Sequence, residues 1–227
     1  MTKNIIALIP ARGGSKGIPK KNIKKFMGIP LIAHSIKYAL SCEKINEIYV
    51  TTDNTEIAEI CSNLGAKIIK RPNNISSDTA TTESAIEHAL SVVNTNPDII
   101  VLLQPTSPLR PKKTLQKALK IFMDKNYDSL LSISPTHKFF WQISEEKIIP
   151  KYNYINWTRR QDLKESEISY IENGSLYIFS YQHFLKNKNR LGGKIGYIKF
   201  SEEYGLEIDS ELDFKILETI AKQLINE

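Results

Sequence analysis

Short apolar runs alternate with stretches of helical periodicity along most of this chain, and that alternation restricts the possible folds more than any other feature. The first run, Ile5–Pro10, leads into a glycine-rich stretch, which is typical of a buried strand. Residues 30–40 then place Ile32, Ile36 and Leu40 at helical spacing. Strands that alternate with helices form a parallel sheet covered on both faces. The sequence therefore predicts an α/β fold: a Rossmann-like, mostly parallel sheet with helices on both faces.

The same pattern continues towards the C-terminal part of the chain. The predicted strands span residues 5–10, 47–52, 67–70, 99–103, 128–134, 174–179 and 195–200. The predicted helices span residues 30–40, 55–64, 82–93, 112–123 and 211–224. Ser210 is the expected N-cap of the last helix, with Asp213 three residues further on. Ligands of such sheets bind beyond the carboxyl ends of the strands, so the loops expected to form a site are 10–22, 52–55, 71–82 and 104–110.

The alternation breaks between about residues 135 and 172. Short aromatic segments there, 141–143, 147–149 and 152–157, are typical of hairpins. A segment of this size is too small to build a hydrophobic core of its own, and apolar surface that it cannot bury is usually covered by a partner. We therefore expect one domain over residues 1–227, with an inserted β-rich arm at about 135–172 that forms a homodimer.

The positive charge is concentrated in one short part of the chain. The 227 residues carry 31 Lys and Arg against 25 Asp and Glu, a formal net charge of +6. Seven of the bases, and no acid, lie in residues 1–30, which leaves 24 bases against 25 acids in the rest. Residues 202–213 carry six acids and no base. A field confined to one loop suits a small polyanion better than a nucleic-acid groove.

Composition also disfavours several broad classes of protein. Hydrophobic residues make up 41% and charged residues 25%, which is ordinary for a folded globular chain. The apolar run at the start is far shorter than the roughly 20 residues of a membrane span, and Arg12 and glycines follow it, unlike a secretory signal. Cys42 and Cys61 give neither a disulfide framework nor zinc spacing and are expected to be core residues. We expect a cytoplasmic protein that contacts no membrane.

The stretch 11–22, which follows the first strand, combines three glycines with Arg12, Lys16, Lys20 and Lys21. Glycines allow backbone amides to approach phosphate oxygens, and the basic side chains supply the opposite charge. The stretch is neither a Walker loop nor a Gly-x-Gly-x-x-Gly motif. Taken alone, it is also compatible with a glycine turn flanked by solvated basic residues.

Seven further blocks follow in the chain, at residues 51–53, 71–72, 78–82, 103–110, 159–163, 173–177 and 207–209. With these blocks in this order, the chain resembles the acylneuraminate (sialic acid) cytidylyltransferase family over essentially its full length. The resemblance implies a nucleotidyltransferase that joins CTP to the anomeric hydroxyl of a nine-carbon 2-keto (nonulosonic) sugar acid. The implied products are a CMP-sugar and pyrophosphate, and the implied cofactor is Mg²⁺.

The resemblance assigns eight positions to the nucleotide. They are Arg12, Ser15, Lys16, Lys21, Asn22, Arg71, Ala80 and Thr82. Lys21 is expected to stabilise the leaving pyrophosphate, and with Arg12 it is the expected catalytic pair. Asn22 would hold the ribose, while Arg71, Ala80 and Thr82 would define the cytosine and triphosphate side of the pocket. Thr82 stands where relatives often have serine, which preserves the hydroxyl.

The sugar and the metal are assigned in the same way. Gln104 would bind sugar hydroxyls or the N-acyl group, and Arg160 would bind the sugar carboxylate. Tyr177 would line the sugar pocket. An exposed interstrand arginine and a core tyrosine remain the alternatives for the last two. Asp209 and Glu207 would bind Mg²⁺, although Glu207 replaces the aspartate usual in the family. The alternative for these two acids is a helix-capping stretch.

The sequence leaves the sugar itself open. The same chemistry on legionaminic or pseudaminic acid is an alternative to N-acylneuraminate. The eight-carbon lipopolysaccharide acid is disfavoured, because the string Gly13–Gly17 is typical of the nine-carbon branch. A nucleic-acid-binding module is the alternative from another class. It is disfavoured, since no recognition motif with interleaved aromatic residues accompanies the basic loop.

Overall fold

The computed structural model describes residues 3–156 and 158–226, and its centre is a seven-stranded sheet. In chain order the strands are β1 Ile5–Pro10, β2 Lys25–Phe26, β3 Ile29–Pro30, β4 Glu47–Thr52, β5 Lys67–Lys70, β6 Ile99–Leu103, β7 Ser129–Thr136, β8 Trp141–Ser144, β9 Lys147–Pro150, β10 Ser169–Ser180 and β11 Ile195–Lys199. The α-helices are α1 Leu31–Leu40, α2 Thr55–Asn63, α3 Thr82–Val92, α4 Thr114–Asp124, α5 Tyr181–Asn187 and α6 Glu211–Asn226.

The large sheet has the order β11-β7-β10-β6-β1-β4-β5. Strand β1 pairs in parallel with β4 and β6, β4 with β5, and β7 with β11. Among the described residues of this sheet, β10 alone runs antiparallel to its neighbours, β6 and β7. The prediction of a Rossmann-like, mostly parallel sheet is therefore confirmed.

Both faces of the sheet are buried because successive side chains of a strand point to opposite sides. In β1, Ile5, Ala7 and Ile9 pack with helices α1, α2 and α4, whereas Ile6 and Leu8 pack with α3 and α5. A third cluster joins α6 to Phe26 of the short β2–β3 hairpin, to Leu31 of α1 and to Ile18 of the basic loop. Helices thus cover both faces, as the continuous apolar strands predict.

The inserted arm leaves the sheet between β7 and β10. It contains the antiparallel pair β8–β9, which makes no ladder with the large sheet. Strands β7 and β10 pair as far as Thr136 and Ser169, so the two ends of the predicted 135–172 range lie within the sheet. Trp157, the last residue of the predicted aromatic segment 152–157, lies outside the described residues.

The two cysteines lie in the interior of the fold. Cys42 and Cys61 are free thiols buried in the core, which confirms their prediction as core residues. In the described part of the chain, no helix combines the length and apolar character that crossing a bilayer requires.

Candidate active site

An open cavity of about 320 Å³ lies at the carboxyl edge of the parallel strands, where an α/β sheet binds its ligands. It receives residues from four loops that are far apart in sequence. Ten of the thirteen predicted site residues line it: Arg12, Ser15, Lys21, Asn22, Arg71, Ala80, Thr82, Gln104, Glu207 and Asp209. The structure therefore brings most of the predicted nucleotide, sugar and metal residues together in one place.

The basic loop 11–22 is fixed by hydrogen bonds to its surroundings. The backbone N–H of Gly13 donates to Asp53 Oδ1 at 2.8 Å, next to the N-terminus of α2. The buried Asn22 side chain donates from Nδ2 to the carbonyl oxygen of Arg12 at 2.9 Å. Because both ends of the loop are tied down, its backbone amides and basic side chains are held at the cavity edge.

Two cations of this loop share one carboxylate. Arg12 Nη1 lies 2.6 Å from Asp78 Oδ1, and Lys16 Nζ lies 3.1 Å from Asp78 Oδ2. The hydrogen bond from Lys16, and then that from Arg12, lowers the pKa of Asp78. Lys16 is largely exposed and does not line the cavity, unlike the other predicted phosphate ligands. Asp78 lies in the block 78–82, but its pairing with these two cations was not predicted from the sequence.

Lys21 crosses from the basic loop to the acidic C-terminal segment. Its Nζ donates to the carbonyl oxygen of Ile208 at 2.7 Å and lies 3.2 Å from Asp209 Oδ1. Its side chain is only 13% exposed. Gly17 allows this approach, because a Cβ there would overlap the carbonyl oxygen of Asp209. The cationic and anionic parts of the sequence therefore meet inside the cavity.

Glu207 lies deeper than Asp209, and its carboxyl group lies near the Gln104 side chain beside Gly174. Burial, and then the neighbouring Asp209 carboxylate, raises the pKa of Glu207 to about 7. Gly174, at φ +64°, leaves room for this carboxyl group, since a Cβ there would overlap Glu207 Oε1 and approach Gln104 Oε1 to 2.9 Å. Gly174 thus needs to be glycine for both its conformation and its space.

The hydrogen bonds at the start of α6 show which residues of the acidic segment cap the helix. Asp213 N donates to Ser210 Oγ at 3.2 Å, and Ser210 N donates to Asp213 Oδ2 at 2.8 Å. This reciprocal pair is the cap that the sequence predicts. Asp209 does not cap α6 with its side chain, which instead faces Lys21.

Arg71, Ala80 and Thr82 lie together on the other side of the cavity. Arg71 is buried, and its Nη2 donates to the carbonyl oxygen of Thr51 at 2.5 Å. Thr82 opens helix α3, whose N-cap Thr81 accepts a hydrogen bond from Ser84 N at 3.1 Å. A helix N-terminus presents partly positive N–H groups to a ligand. This wall is therefore suited to a group that carries negative charge or hydrogen-bond acceptors.

Loop 104–110 is tied both to the core and to the acidic segment. Ile208 N donates to the carbonyl oxygen of Thr106 at 2.8 Å. Arg110 is buried beneath the loop, and its Nη2 donates to the carbonyl oxygen of Gln104 at 2.7 Å. Arg110 belongs to the block 103–110, but its role could not be predicted, because nothing in the local pattern shows which carbonyl groups it would meet.

Two predicted sugar residues are not brought to the cavity within one chain. Tyr177 is 2% exposed and packs on the α3 face of the sheet, where its hydroxyl donates to Glu172 and the Arg190 guanidinium lies 4.5 Å from its ring centre. Tyr177 therefore has the core position that was its alternative. Arg160 lies in the arm, 65% exposed, with Nη2 2.9 Å from Glu202 Oε1. It lines a groove in the arm rather than the cavity.

The donor set at Glu207 and Asp209 suits a hard cation such as Mg²⁺, which takes one or two carboxylates and completes its shell with phosphate oxygens and waters. No cluster of three or more His, Cys, Asp or Glu side chains with metal-binding geometry occurs among the described residues. Two carboxylates would fill only part of the octahedral shell of Mg²⁺, so phosphate oxygens and waters would have to complete it.

The open α/β sheet has a cleft at its carboxyl edge, and this cleft is lined by cations and by two carboxylates. These features define a Rossmann-like α/β protein with a site suited to a polyphosphate. A family model described as "Cytidylyltransferase" matches residues 6–224. The chain belongs to this cytidylyltransferase family.

Individual proteins with similar sequences include named cytidylyltransferases. The chain is 35% identical over 222 residues to N-acylneuraminate cytidylyltransferase A of Danio rerio, covering 96% of this chain and 50% of that protein. It is 32% identical over 225 residues to N-acylneuraminate cytidylyltransferase of Escherichia coli, covering 98% and 53% respectively. The chain thus spans about half the length of these two relatives. It is also 32% identical to post-translational flagellin modification protein B of Campylobacter coli, covering 96% of this chain and 95% of that protein.

The fold recurs in a solved structure of CMP:2-keto-3-deoxy-manno-octonic acid synthetase in complex with CTP. The TM-score is 0.72 at 17% identity, with 97% of this chain and 99% of that chain covered. At this identity the likeness shows the shared fold alone.

Proposed function

We propose that this chain is a CTP-dependent cytidylyltransferase that activates an N-acylneuraminate, a nine-carbon 2-keto sugar acid, to its CMP-sugar with release of pyrophosphate. The observation that carries the proposal is that Arg12 and Lys21 share one cavity with Glu207 and Asp209. Cations for a triphosphate and carboxylates for a metal are the two things that transfer of a nucleotidyl group requires.

The nucleotide would occupy the part of the cavity between the basic loop and the N-terminus of α3. Arg12, Ser15 and Lys21 face the expected triphosphate. Arg71, Ala80 and Thr82 face the expected base, whose amino group and ring nitrogen can be read by backbone groups and by the Thr82 hydroxyl. Asn22 is expected to contact the ribose while its amide holds the Arg12 carbonyl oxygen.

In the proposed reaction, the anomeric hydroxyl oxygen of the sugar acid attacks the α-phosphorus of CTP. A new phosphorus–oxygen bond forms as the bond to the bridging oxygen of the β-phosphate breaks, and pyrophosphate leaves. The hydroxyl proton passes to solvent or to a carboxylate of the cavity. Lys21, held by Ile208 and Asp209 at the cavity wall, is placed to stabilise the negative charge that develops on the leaving group.

Asp209 and Glu207 are the residues that would hold Mg²⁺. When bound, this ion would supply positive charge at the oxygens of the reacting phosphate. The chain contributes the two carboxylates, and Lys21 beside Asp209 limits how much negative charge accumulates there. Asp209 is the stronger candidate for direct ligation, and Glu207 is expected to act through a bound water.

The sugar acid would lie beside Gln104 and Glu207. Because Arg160 lies in the arm and away from the cavity of its own chain, its proposed role requires the arm of a second copy. We therefore include a homodimer in the proposed function, with the arm of one protomer reaching the cavity of its partner. Legionaminic and pseudaminic acids are the alternative substrates, since the same cleft would perform the same chemistry on them.

The function is tested by measuring pyrophosphate release with purified protein and Mg²⁺. CTP, UTP and ATP are each combined with N-acetylneuraminic, legionaminic, pseudaminic and the eight-carbon acid. We expect release with CTP and a nine-carbon acid. Absence of release with every sugar acid, or equal rates with all three nucleotides, would contradict the proposal.

Lys21→Ala tests whether the measured rate belongs to this cavity. Loss of a charge that stabilises the leaving group is expected to reduce turnover by roughly 10²–10³-fold. Lys20→Gln is the matched control, because Lys20 is the preceding residue but pairs with Glu56 outside the cavity at 2.7 Å. Near-normal turnover of Lys21→Ala would remove Lys21 from the active site.

A further inference from the structure

Arg110 is a buried cation that makes no direct ion pair within the described residues, and the Glu207 carboxylate favours its charge only at longer range. It is only 8% exposed, and it forms no ion pair with any carboxylate among the described residues. Burial lowers the pKa of Arg110 to about 10, which leaves the guanidinium charged at neutral pH. A buried charge that lacks a counter-ion is costly unless hydrogen bonds satisfy it. An apolar side chain would fill the same space without that cost, so the guanidinium needs another explanation.

The hydrogen bonds of Arg110 explain why a guanidinium is buried at this position. Its Nε and Nη2 donate to the carbonyl oxygen of Ser175 at 3.2 and 3.1 Å, and Nη2 also donates to the carbonyl oxygen of Gln104 at 2.7 Å. Its Nη1 donates to Ser35 Oγ at 3.1 Å. The guanidinium carbon lies 5.4 Å from the centre of the Tyr38 ring, within the range of a cation–π contact.

These contacts join three elements beneath the sugar end of the cavity. Gln104 directly follows β6, Ser175 lies in the irregular stretch of β10 between Glu172 and Tyr177, and Ser35 belongs to α1. Gly174, the neighbour of Ser175, leaves the space in which Gln104 Oε1 and the Glu207 carboxyl group approach each other. The planar fork of the guanidinium thus fixes the backbone on both sides of the Gln104 side chain.

We propose that Arg110 is a positioning residue for the sugar acid: by holding the main-chain carbonyl groups of Gln104 and Ser175, it keeps the Gln104 side chain turned into the cavity. This proposal rests on the proposed function. Arg110 does not touch the substrate. The nucleotide side of the cavity is built on other elements, the basic loop and the start of α3, so Arg110 should affect the sugar acid and leave CTP almost unaffected.

The first test is Arg110→Lys, which keeps the charge but loses the fork. We expect the KM for the sugar acid to rise about tenfold, below the ~100-fold that a 1 Å misplacement can cost. The Kd of CTP, measured by calorimetry without sugar, should change less than about twofold. Ser41→Ala is the control, because Ser41 also lies at helix α1 but its hydroxyl bonds only the exposed carbonyl oxygen of Tyr38. A parallel rise of the KM for the sugar acid and the Kd for CTP would overturn the proposal, since it would mean that the substitution disturbs the whole cavity.

A double-mutant cycle with Gln104→Ala decides whether Arg110 acts through Gln104. If it does, Arg110→Lys should raise the sugar KM about tenfold in the wild-type background and less than about twofold in the Gln104→Ala background. Effects that multiply independently in the double variant would overturn the proposal. If Arg110→Lys does not fold, Ser35→Ala takes its place, because it removes one guanidinium partner and the weak 3.5 Å contact to the Gln104 carbonyl oxygen.

A readout that does not depend on turnover separates this proposal from the proposed function. In the folded protein, the NMR signals of the Gln104 side-chain amide should move towards free-glutamine positions in Arg110→Lys, while the Arg71 signals on the nucleotide side stay unchanged. A Gln104 amide that does not move would overturn the proposal even in an active enzyme. If the wild type transfers no cytidylyl group, the proposed function fails, and the amide signal alone decides the role of Arg110.

Discussion

The contacts of Asp78 could not be predicted from its neighbours in the sequence. Its two carboxylate oxygens each pair with a cation that is expected to bind the triphosphate, Arg12 at 2.6 Å and Lys16 at 3.1 Å. A triphosphate and Asp78 would therefore compete for the same two side chains. Because the carboxylate is exposed, solvent screens these pairs and their effect on binding is expected to be modest.

Asp78→Asn tests this competition. Removing the charge should lower the Kd of CTP by about two- to fivefold, in line with the small contribution of exposed ion pairs. Calorimetric titration with CTP at low and high salt measures the change. Asp124→Asn, which disrupts the exposed pair between Lys120 and Asp124 on α4, is the control. Weaker CTP binding by Asp78→Asn would show instead that Asp78 orients Arg12.

Asp209 and Glu207 differ in their surroundings, and this difference predicts unequal roles. Asp209 is exposed and faces Lys21, whereas Glu207 is half-buried against Gly174. We expect Asp209→Asn to reduce turnover and to raise the Mg²⁺ concentration for half-maximal rate at least tenfold, and Glu207→Gln to shift that concentration less. Glu211→Gln is the matched control, because Glu211 lies in the same acidic segment but pairs with Lys24. If Asp209→Asn keeps its rate and its Mg²⁺ requirement, the metal lies elsewhere.

Sequence patterns predicted which residues line the cavity better than they predicted which residues these side chains contact. The loops that follow β1, β5 and β6 were predictable, because parallel strands end at a common edge. The contacts Arg12–Asp78 and Arg110–Ser175 were not, since each joins two segments far apart in the chain through tertiary packing that no local spacing encodes. Tyr177 shows the same limit: its block predicted a pocket residue, but its place along β10 turns it into the core.

At the scale of elements, the interior strands were predicted most accurately. Strands β1, β4, β5 and β6 have the predicted bounds, because each is an apolar run that ends at a turn. Strand β10 extends from Ser169 rather than from 174, and its antiparallel direction follows from the arm that interrupts the chain before it. Helix α5, with seven residues, is too short to give a periodic signal and was not predicted.

The cap of α6 gives an element-scale prediction of stability. Ser210→Ala removes the oxygen that accepts from Asp213 N at 3.2 Å, and should lower the free energy of unfolding by about 1 kcal/mol. Hydrogen bonds from Ser210 lower the pKa of Asp213. The cap therefore stabilises the fold at neutral pH, and its contribution is lost as the pH falls through that lowered pKa.

Urea unfolding of Ser210→Ala and of the wild type at pH 7 and at pH 3 measures this effect. We expect the difference between the two proteins at pH 7 to shrink at pH 3. Ser91→Ala is the control, because the Ser91 hydroxyl bonds the exposed carbonyl oxygen of His88 at the opposite, C-terminal end of α3. An equal difference at both pH values would mean that the Asp213 carboxylate takes no part in the cap.

At the scale of the whole molecule, the fold brings the two charged parts of the sequence together. Lys21 pairs with Asp209 at 3.2 Å, and Lys24 pairs with Glu211 at 2.6 Å. The excess of positive charge in residues 1–30 is thus partly neutralised by residues 202–213 at one edge of the sheet. The net charge alone would favour a negatively charged ligand of any size. Because these pairs neutralise part of the positive charge, the positive field that is left is local and suits a small polyanion.

The arm is the part of the molecule that the fold leaves least buried. The cross-strand pair Ile143 and Ile148 is 78% and 64% exposed, and Ile155 is 78% exposed. Phe140, Trp141 and Tyr154 add exposed aromatic surface to the same excursion. An apolar patch of this kind is typical of an interface between subunits. A symmetric dimer would bury the patch of both copies at once.

Replacing the exposed pair tests the dimer and the active site together. In Ile143→Glu/Ile148→Glu, two charges would enter the interface, so we expect a monomer by light scattering at micromolar concentration. The thermal transition of the sheet domain should change little, because neither side chain contacts its core. The KM for the sugar acid should rise at least tenfold, since Arg160 would no longer reach a partner's cavity, whereas CTP binding should be retained. Leu40→Glu, at an exposed apolar position of α1 outside the arm, should remain dimeric and active. A monomeric variant with the wild-type KM for the sugar acid would show that each cavity is complete within one chain and that the arm serves another purpose.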